Sequence, residues 1–216
     1  MKEIIDLTLP VESGMPTCGT PWHQTVELTQ MGLIEDVGRN TSRIVLGSHS
    51  GTHIDAPKHF IDDGITIDRL DLNTLCGPIT IVDLDKQAGE IIEKEDLLNV
   101  NVTERLLFRH RWYQHWKSDS YYKDYPFFSL DAAKYLVEQG VKLIAMDTPS
   151  PDSFNGIREM DDSPVHKLLL REHIVIIEYL NNTDLIQTNK EYEIIALPLR
   201  AFGLDGCPAR VILREL

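Results

Sequence analysis

Three histidines and one aspartate stand within eleven residues of this chain, in the segment His49-Ser-Gly-Thr-His53-Ile-Asp55-Ala-Pro-Lys-His59. Imidazole nitrogens and carboxylate oxygens are ligands suited to zinc, manganese, iron or nickel. Several neighbours are small residues, which leave room for the larger side chains to converge on one point. A polar turn whose histidines only hydrogen-bond the backbone is the alternative interpretation. Four potential ligands at this density favour a metal site.

A strand followed by a Gly-rich turn is predicted to position these side chains, with the strand at Arg43 to Leu46. Alternate residues of an extended segment point to the same face, so His53 and Asp55 would share one face. A helix carrying His49 and His53 is disfavoured by the glycine between them and by the proline that follows. The end of the strand and the turn can therefore direct these three side chains at one centre.

A second pair of potential ligands lies farther along the chain. Ile174 to Leu180 is an apolar strand interrupted by Glu178, and a carboxylate buried there requires a cation or several hydrogen-bond donors. A helix is predicted from Pro164 to Arg171, with Ser163 as its N-cap and His166 near its start. A lone histidine is more often an ordinary surface or core residue. The direct connection of this helix to the strand of Glu178 favours a metal role for His166.

The alternation of helices and strands after Ser129 predicts an α/β fold. Ser129 is a suitable N-cap for a helix that ends at Gly140, and residues 142–146 then form a buried strand. Asp147 follows this strand and is assigned no ligand role. At 216 residues, the chain is predicted to form one domain over residues 1–216.

Composition limits the partners. The net charge is −13 and basic residues form no long cluster, which argues against nucleic acid and against an anionic membrane surface. The three cysteines are far apart and predict neither a disulfide framework nor a thiolate metal site. The N-terminus enters a strand pattern without a signal-peptide core, and no apolar run reaches membrane-spanning length. A cytoplasmic protein acting on a small molecule is predicted.

Aromatic residues are concentrated in one segment: nine of the sixteen in the chain lie between Phe108 and Phe128. This segment is too polar for a core strand. It could line a pocket for a flat substrate, form a subunit contact, or be a long loop held in place by its own aromatic side chains. We favour the last interpretation.

The string His49-x-Gly51-Thr52-His53-x-Asp55-x-Pro57-x-His59 resembles the signature of the cyclase-family metal-dependent hydrolases. That family includes the bacterial kynurenine formamidases and the isatin hydrolases. It also pairs a histidine with a glutamate twelve residues later, as His166 and Glu178 stand here. Residues 197–208 resemble its C-terminal segment. Arg200 and Asp205 in that segment could reach the site, but turn formation and a local ion pair explain them as well, and we interpret them as structural. The resemblance implies a single domain with mixed sheets, similar to the swivelling β/β/α fold, and a homodimer.

The resemblance also implies roles for the candidate residues. Two zinc ions are expected, with manganese as an alternative metal. The predicted ligands are His49, His53 and Asp55 for one ion, and Asp55, as a bridge, with His166 and Glu178 for the other. His59 corresponds to the general acid/base of the family. From the residues alone, a third histidine ligand or a group that hydrogen-bonds a ligand remains the alternative for His59.

A metal-dependent hydrolase that cleaves a carbon–nitrogen bond of a small aromatic formamide is therefore predicted. One segment departs from the formamidases, in which an aromatic residue precedes Pro-Gly-Asp-Thr-Pro. Here the loop reads Thr17-Cys-Gly-Thr-Pro21, and the nearest aromatic residue is Trp22. A lactam, as in the isatin hydrolases, or an ester is the alternative substrate.

Two other classes of function are compatible with part of the motif. A non-haem iron oxygenase would use His53, Asp55 and a distal histidine as a facial triad. That triad normally occupies an all-β barrel, and it leaves His49 and Glu178 unexplained. A metal-binding module without catalysis would not require His59, and structural zinc sites rarely lack cysteine.

Overall fold

The computed structural model describes residues 3–154 and 162–216. Its strands are β1 (Ile4–Asp6), β2 (Glu27–Gly32), β3 (Thr41–Val45), β4 (His53–Asp55), β5 (Cys76–Asp83), β6 (Ile91–Ile92), β7 (Arg105–Arg109), β8 (Phe127–Phe128), β9 (Leu143–Met146), β10 (Val175–Glu178), β11 (Tyr192–Pro198) and β12 (Gly206–Glu215). Its α-helices are α1 (Ile34–Val37), α2 (Leu72–Leu75), α3 (Lys94–Leu97), α4 (Leu130–Glu138) and α5 (Pro164–Arg171). Short 3-10 helices lie at Pro57–His59, Ile67–Arg69, Trp112–His115 and Thr183–Leu185.

Seven strands close into a barrel in the order β12-β11-β5-β7-β9-β10-β4, and β4 pairs again with β12. The pairs β5–β7, β7–β9 and β9–β10 are parallel. All barrel pairs that involve β4, β11 or β12 are antiparallel. β1 adds to the far end of the long strand β12. Closure gives each of the seven strands two partners, so backbone groups at the edges are paired. The predicted α/β fold with mixed strands is confirmed.

Alternate residues of the barrel strands enter two different cores. In β9, Leu143 and Ala145 pack inside the barrel, and Ile144 and Met146 pack against the helices outside it. Helices α3, α4 and α5 cover this outer face. Strands β7, β9 and β10 are buried throughout, as expected for parallel strands that are covered on both faces.

The helix predicted after Ser129 is α4, and the Ser129 hydroxyl accepts the backbone N–H of Ala132 as an N-cap should. Strands β2 and β3 pair with each other and, among the described residues, with no other strand; with α1 they form an arm spanning residues 27–45. In the part of the chain that the structure describes, no helix is long and apolar enough to cross a membrane.

The aromatic segment is a long loop held in place by its own side chains. Trp112, Tyr121 and Tyr125 are buried together against Tyr179, and the Trp112 indole donates a hydrogen bond to the Tyr121 carbonyl (2.9 Å). This packing agrees with the interpretation that we favoured from the sequence.

Asp147, at the end of β9, anchors the start of that loop. Its buried carboxylate accepts hydrogen bonds from the backbone N–H groups of His110 (3.0 Å) and Arg111 (2.7 Å), and from the Thr183 hydroxyl (2.6 Å). Burial raises the pKa of Asp147 to about 6, although these donors oppose the shift. We expect Asp147→Ala to lower the free energy of unfolding by about 1–3 kcal/mol, since three donors lose their acceptor. Urea denaturation would measure the loss, and an unchanged midpoint would contradict this role.

Candidate metal centre

Strands β4 and β10 place three candidate ligands side by side. Ile54 points into the barrel, so His53 and Asp55 face outward together. Glu178 lies directly opposite His53 in the antiparallel pair. His53 Nε2 is 3.4 Å from Glu178 Oε2 and 3.2 Å from Asp55 Oδ1.

The turn before β4 and the helix before β10 bring two more imidazoles to the same point. His49 Nδ1 lies 2.7 Å from Asp55 Oδ1. From α5, His166 Nε2 lies 3.1 Å from Glu178 Oε1 and 3.4 Å from Asp55 Oδ2. All five side chains that the sequence nominated as metal ligands therefore converge, although they come from segments more than a hundred residues apart.

Among the described residues, two sets of three have ligand atoms close enough together to hold an ion: His49, Asp55 and His59, and His53, Asp55 and Glu178. Asp55 belongs to both sets, as a bridging carboxylate would. The grouping differs from the predicted one, which placed His53 with His49. His59 belongs to the first set, so its position near Asp55 also fits a ligand.

The donor set fits divalent metal ions. His53 Nε2 and both carboxylate oxygens of Asp55 are buried and have no hydrogen-bond partner within residues 3–154 and 162–216. A buried carboxylate is strongly unfavourable unless a cation, here a protonated imidazole or a metal ion, lies beside it. Imidazole and carboxylate donors that converge without cysteine suit zinc or manganese.

The candidate ligands shift one another's pKa values, because charged groups lie close together in a buried site. Burial opposes protonation of His49, but the carboxylates of Asp55 and Asp205 raise its pKa to about 10. Despite burial, His49 and His53 hold the pKa of Asp55 well below its usual range. Burial and the nearby Asp55 charge raise the pKa of Glu178. Metal binding would replace protons as the compensating charge.

His59 projects from the short helix Pro57–His59 that follows β4. Its ring stacks on that of His49, with centroids 3.9 Å apart and planes inclined by 32°. Burial lowers the pKa of His59, which favours the neutral imidazole. A neutral imidazole beside the ligands can accept and return a proton.

Two acidic residues at this site were given no role in it by the sequence analysis. Asp205, which we interpreted as structural, lies 2.7 Å from His49 Nε2. Asp152 receives the backbone N–H of Val165 (2.8 Å) and that of His166 (2.9 Å). Its Oδ2 also lies 2.7 Å from His166 Nδ1. No local spacing marks either residue, because each meets its histidine only after the chain has folded.

The cap of α5 is therefore not the predicted one. Ser163 adopts a left-handed conformation with φ of 62°, and its side chain makes no capping hydrogen bond. Instead, the carboxylate of Asp152, in the loop after β9, caps the N-terminus of the helix. Because it also accepts the Nδ1–H of His166, the lone pair of Nε2 is directed at Asp55 and Glu178.

We expect Asp152→Ala to weaken zinc binding by about 10–100-fold, because the His166 ring loses the partner that orients it. Loss of the cap should also lower the free energy of unfolding by about 1 kcal/mol. Competition with a chromophoric chelator measures the first effect and urea denaturation the second. Asp131→Ala, which removes an acidic residue from the first turn of α4, is the matched control and should leave zinc affinity unchanged.

A pocket of about 230 Å³ opens above the cluster. Trp22, Phe60 and Tyr179 contribute aromatic surface, and His59 lies with the candidate ligands in its wall. The loop that departs from the formamidase pattern supplies Cys18 as well as Trp22. A small flat molecule can thus lie against aromatic side chains with a reacting bond close to the cluster.

A buried cluster of histidines and carboxylates beneath such a pocket, on the outer face of a closed barrel, defines a metal-dependent hydrolase. The sequence model of the putative cyclase family matches residues 5–153. The chain belongs to this family.

Relatives and solved structures agree with this assignment. A kynurenine formamidase of Bacillus cytotoxicus is 33% identical over 221 residues, covering 100% of this chain and 99% of that protein. One from Erythrobacter litoralis is 34% identical over 177 residues, covering 82% and 78%. A structure described as a potential metal-dependent hydrolase with cyclase activity superposes with a TM-score of 0.78 at 29% identity, covering 100% and 99%. An isatin hydrolase bound to the product analogue thioisatinate gives a TM-score of 0.88 at 22% identity, covering 99% and 92%, and shows the common fold.

Proposed function

We propose that this enzyme binds two zinc ions and hydrolyses the formamide of a small aromatic amine, as a kynurenine formamidase does. The observation that carries the proposal is the convergence of the candidate ligands and His59 beneath one aromatic pocket. The full-length similarity to kynurenine formamidases supports the choice of reaction. The proposed unit is one domain over residues 1–216.

In this proposal the two carboxylates, which each face imidazoles on two sides, would hold the ions together with those imidazoles. Asp55 presents Oδ1 toward His49 and His53, and Oδ2 toward His166. Glu178 likewise presents Oε2 to His53 and Oε1 to His166. The ligands are thus His49, His53, Asp55, His166 and Glu178. Three imidazoles favour zinc over manganese, which prefers oxygen ligands.

When bound, divalent ions of this kind polarise a carbonyl oxygen and lower the pKa of a water molecule. The reaction adds the oxygen of water to the formyl carbon and breaks the carbon–nitrogen bond. His59 accepts the proton that the water loses and returns a proton to the departing amine nitrogen. The immediate products are formic acid and the free aromatic amine, and the acid then ionises to formate by releasing one proton to the solvent.

The walls of the pocket support an aromatic substrate. Phe60 follows His59 directly in the chain, and Tyr179 follows Glu178, so each aromatic side chain is fixed beside a group of the site. Trp22 lies at the mouth, with 74% of its surface exposed. An indole so exposed gains buried area when a flat ligand packs against it.

The proposal is tested with N-formyl-L-kynurenine and metal-stripped protein, reloaded in parallel with zinc or manganese. We expect zinc to restore turnover, with formate and the amine released in equal amounts. The N-acetyl analogue is the matched control substrate and should react far more slowly, since the extra methyl group enlarges the acyl group at the reacting centre.

The altered loop at Thr17 to Pro21 is the observation that favours a second substrate, a lactam such as isatin. Isatin turnover without formamide turnover would replace the proposed substrate and keep the hydrolase. Zinc bound tightly without turnover of the formamide, of isatin or of a panel of small esters would favour a metal-binding module. Oxygen consumption with Fe(II) would favour the oxygenase, although the convergence of five ligands exceeds what a facial triad uses.

We also propose that the enzyme acts as a homodimer in the cytoplasm. The arm of residues 27–45 exposes large apolar side chains: Met31 is 64% exposed, Ile34 65% and Ile44 63%. Apolar groups concentrated on one projecting element are typical of a surface that is covered in an assembly. Three free cysteines are consistent with a reducing compartment.

The dimer is tested by light scattering coupled to size-exclusion chromatography. Ile34→Lys combined with Ile44→Lys should shift a species of twice the chain mass to the 24.6 kDa monomer, because two charges would be buried. Leu98→Lys, at an exposed leucine outside the arm, is the matched control. A wild-type protein that elutes as a monomer would contradict the dimer.

A further inference from the structure

Asp205 lies between His49, a proposed metal ligand, and His59, the proposed acid/base. Its Oδ2 lies 2.7 Å from His49 Nε2 and 3.4 Å from His59 Nδ1. We infer that Asp205 is a positioning residue, which fixes the His49 ring for metal binding and the His59 ring for proton transfer. This inference rests on the function proposed above.

The backbone holds Asp205 in that place. The residue immediately precedes β12, and its carbonyl oxygen accepts the N–H of Ala56 (2.9 Å). The next residue, Gly206, pairs with Asp55 across β4 and β12. The main chain at Asp205 is thus tied directly to the segment that carries Asp55 and leads to His59, so its carboxylate has little freedom to move away.

The absence of a side chain at Gly206 lets the His49 ring lie against the strand. A Cβ atom there would stand 2.8 Å from His49 Cε1 and 2.9 Å from the carbonyl oxygen of Ile54. The ring therefore occupies a narrow space between two carboxylates, with Asp55 at Nδ1 and Asp205 at Nε2.

This geometry decides which nitrogen of His49 binds metal. A neutral imidazole carries one N–H and one lone pair. When Nε2–H donates to Asp205, the lone pair is on Nδ1, beside Asp55 and the proposed ion. A carboxylate that receives the second N–H of a ligating histidine orients the ring and strengthens it as a ligand.

The same carboxylate sets the tautomer of His59. With Nδ1–H directed at Asp205, Nε2 carries the lone pair and is the nitrogen that accepts a proton from water. Because His59 stacks on His49, a displacement of either ring disturbs the other. One anion thus holds two stacked rings in the tautomers that their separate roles require.

The test compares Asp205→Ala with Asp68→Ala. Asp68 accepts the N–H of Gly203 (2.9 Å), so its replacement loosens the same C-terminal segment without removing a partner of either histidine. For Asp205→Ala we expect kcat on N-formyl-L-kynurenine to fall about 10–100-fold with KM within about twofold, and zinc affinity to fall about tenfold or more. Asp68→Ala should resemble the wild type in all three.

Nitrogen-15 NMR spectra of the histidine rings report the tautomer of His59. This tautomer would not change if Asp205 only stabilised the fold. The wild type should show His59 as a single Nδ1–H tautomer, and Asp205→Ala should show a mixture. Asp205→Asn, which keeps the shape of the side chain, provides the same comparison if the alanine variant does not fold.

Wild-type zinc affinity and an unchanged His59 tautomer in Asp205→Ala would overturn the inference, as would equal losses in Asp205→Ala and Asp68→Ala. The outcome is separable from that of the proposed function. If the wild type does not hydrolyse the formamide, zinc affinity and ring tautomers still decide the role of Asp205.

Discussion

His59→Ala is expected to lower kcat by about 10²–10⁴-fold while the protein retains its full zinc content. The His59 ring lies in the pocket wall, where Asp205 and the stacked His49 ring hold it in place. The contacts that join Asp55, His166 and Glu178 do not include this ring. Removing the ring takes away the group that moves the proton and leaves the proposed ligand set intact. Steady-state kinetics and zinc analysis on the same preparation make the measurement.

The geometry makes this a sharp test, because His59 is also near enough to Asp55 and His49 to bind an ion with them. Loss of about one zinc per chain together with activity would assign His59 as a ligand and contradict the acid/base role. Partial recovery of kcat with added imidazole, at constant zinc content, would support proton transfer. His115→Ala removes an exposed imidazole from the aromatic loop and is the matched control, with wild-type kinetics expected.

Asp55→Asn is expected to abolish binding of both ions, and turnover with it. Asp55 belongs to both sets of potential ligands, and its carboxylate touches three of the candidate imidazoles. An amide keeps the shape of the side chain but removes the negative charge and leaves one oxygen to serve two ions. Neither ion then has the anionic bridge that compensates for its burial.

Stability provides a readout of this loss that does not depend on a substrate. A ligand that binds only the folded protein stabilises it by about 4 kcal/mol when its free concentration is 1,000 times Kd. We expect added zinc to raise the wild-type unfolding midpoint accordingly and to leave that of Asp55→Asn unchanged. Denaturation with and without zinc gives both values.

Asp147→Ala is the matched control for the loss of a buried aspartate. It should lower stability in the metal-free protein and preserve the increment that zinc provides, since Asp147 contacts His110, Arg111 and Thr183 rather than the candidate ligands. A zinc-dependent increment in Asp55→Asn equal to that of the wild type would contradict the shared role of Asp55.

The local patterns of the sequence predicted much of the fold. The alternation of polar and apolar residues at His53, Ile54 and Asp55 belongs to a strand, and β4 is one. A potential N-cap followed by proline at the first turn predicted α5 at its observed bounds, Pro164–Arg171. These features follow from interactions between residues close in sequence, which is why the sequence alone reveals them.

The arm of residues 27–45 was predicted only in part, since the strand expected at Arg43 to Leu46 overlaps β3 but β2 was not predicted. Its strands carry exposed apolar residues, so they lack the alternation that a half-buried strand would show. The predicted N-cap of α5 was wrong for a different reason. Ser163 has the right residue type for an N-cap, but the carboxylate of Asp152, supplied by tertiary packing, binds the helix N-terminus instead.

By itself, the sequence determined which residue types are available for the chemistry: three imidazoles and a carboxylate in one short segment, and a histidine and a glutamate in a helix and strand far beyond it. Only the tertiary structure decided which atoms meet. The register of β4 with β10 sets Glu178 opposite His53, and its register with β12 brings Asp205 to His49, 156 residues away. Strand register depends on the packing of the whole barrel, so no local pattern encodes these contacts.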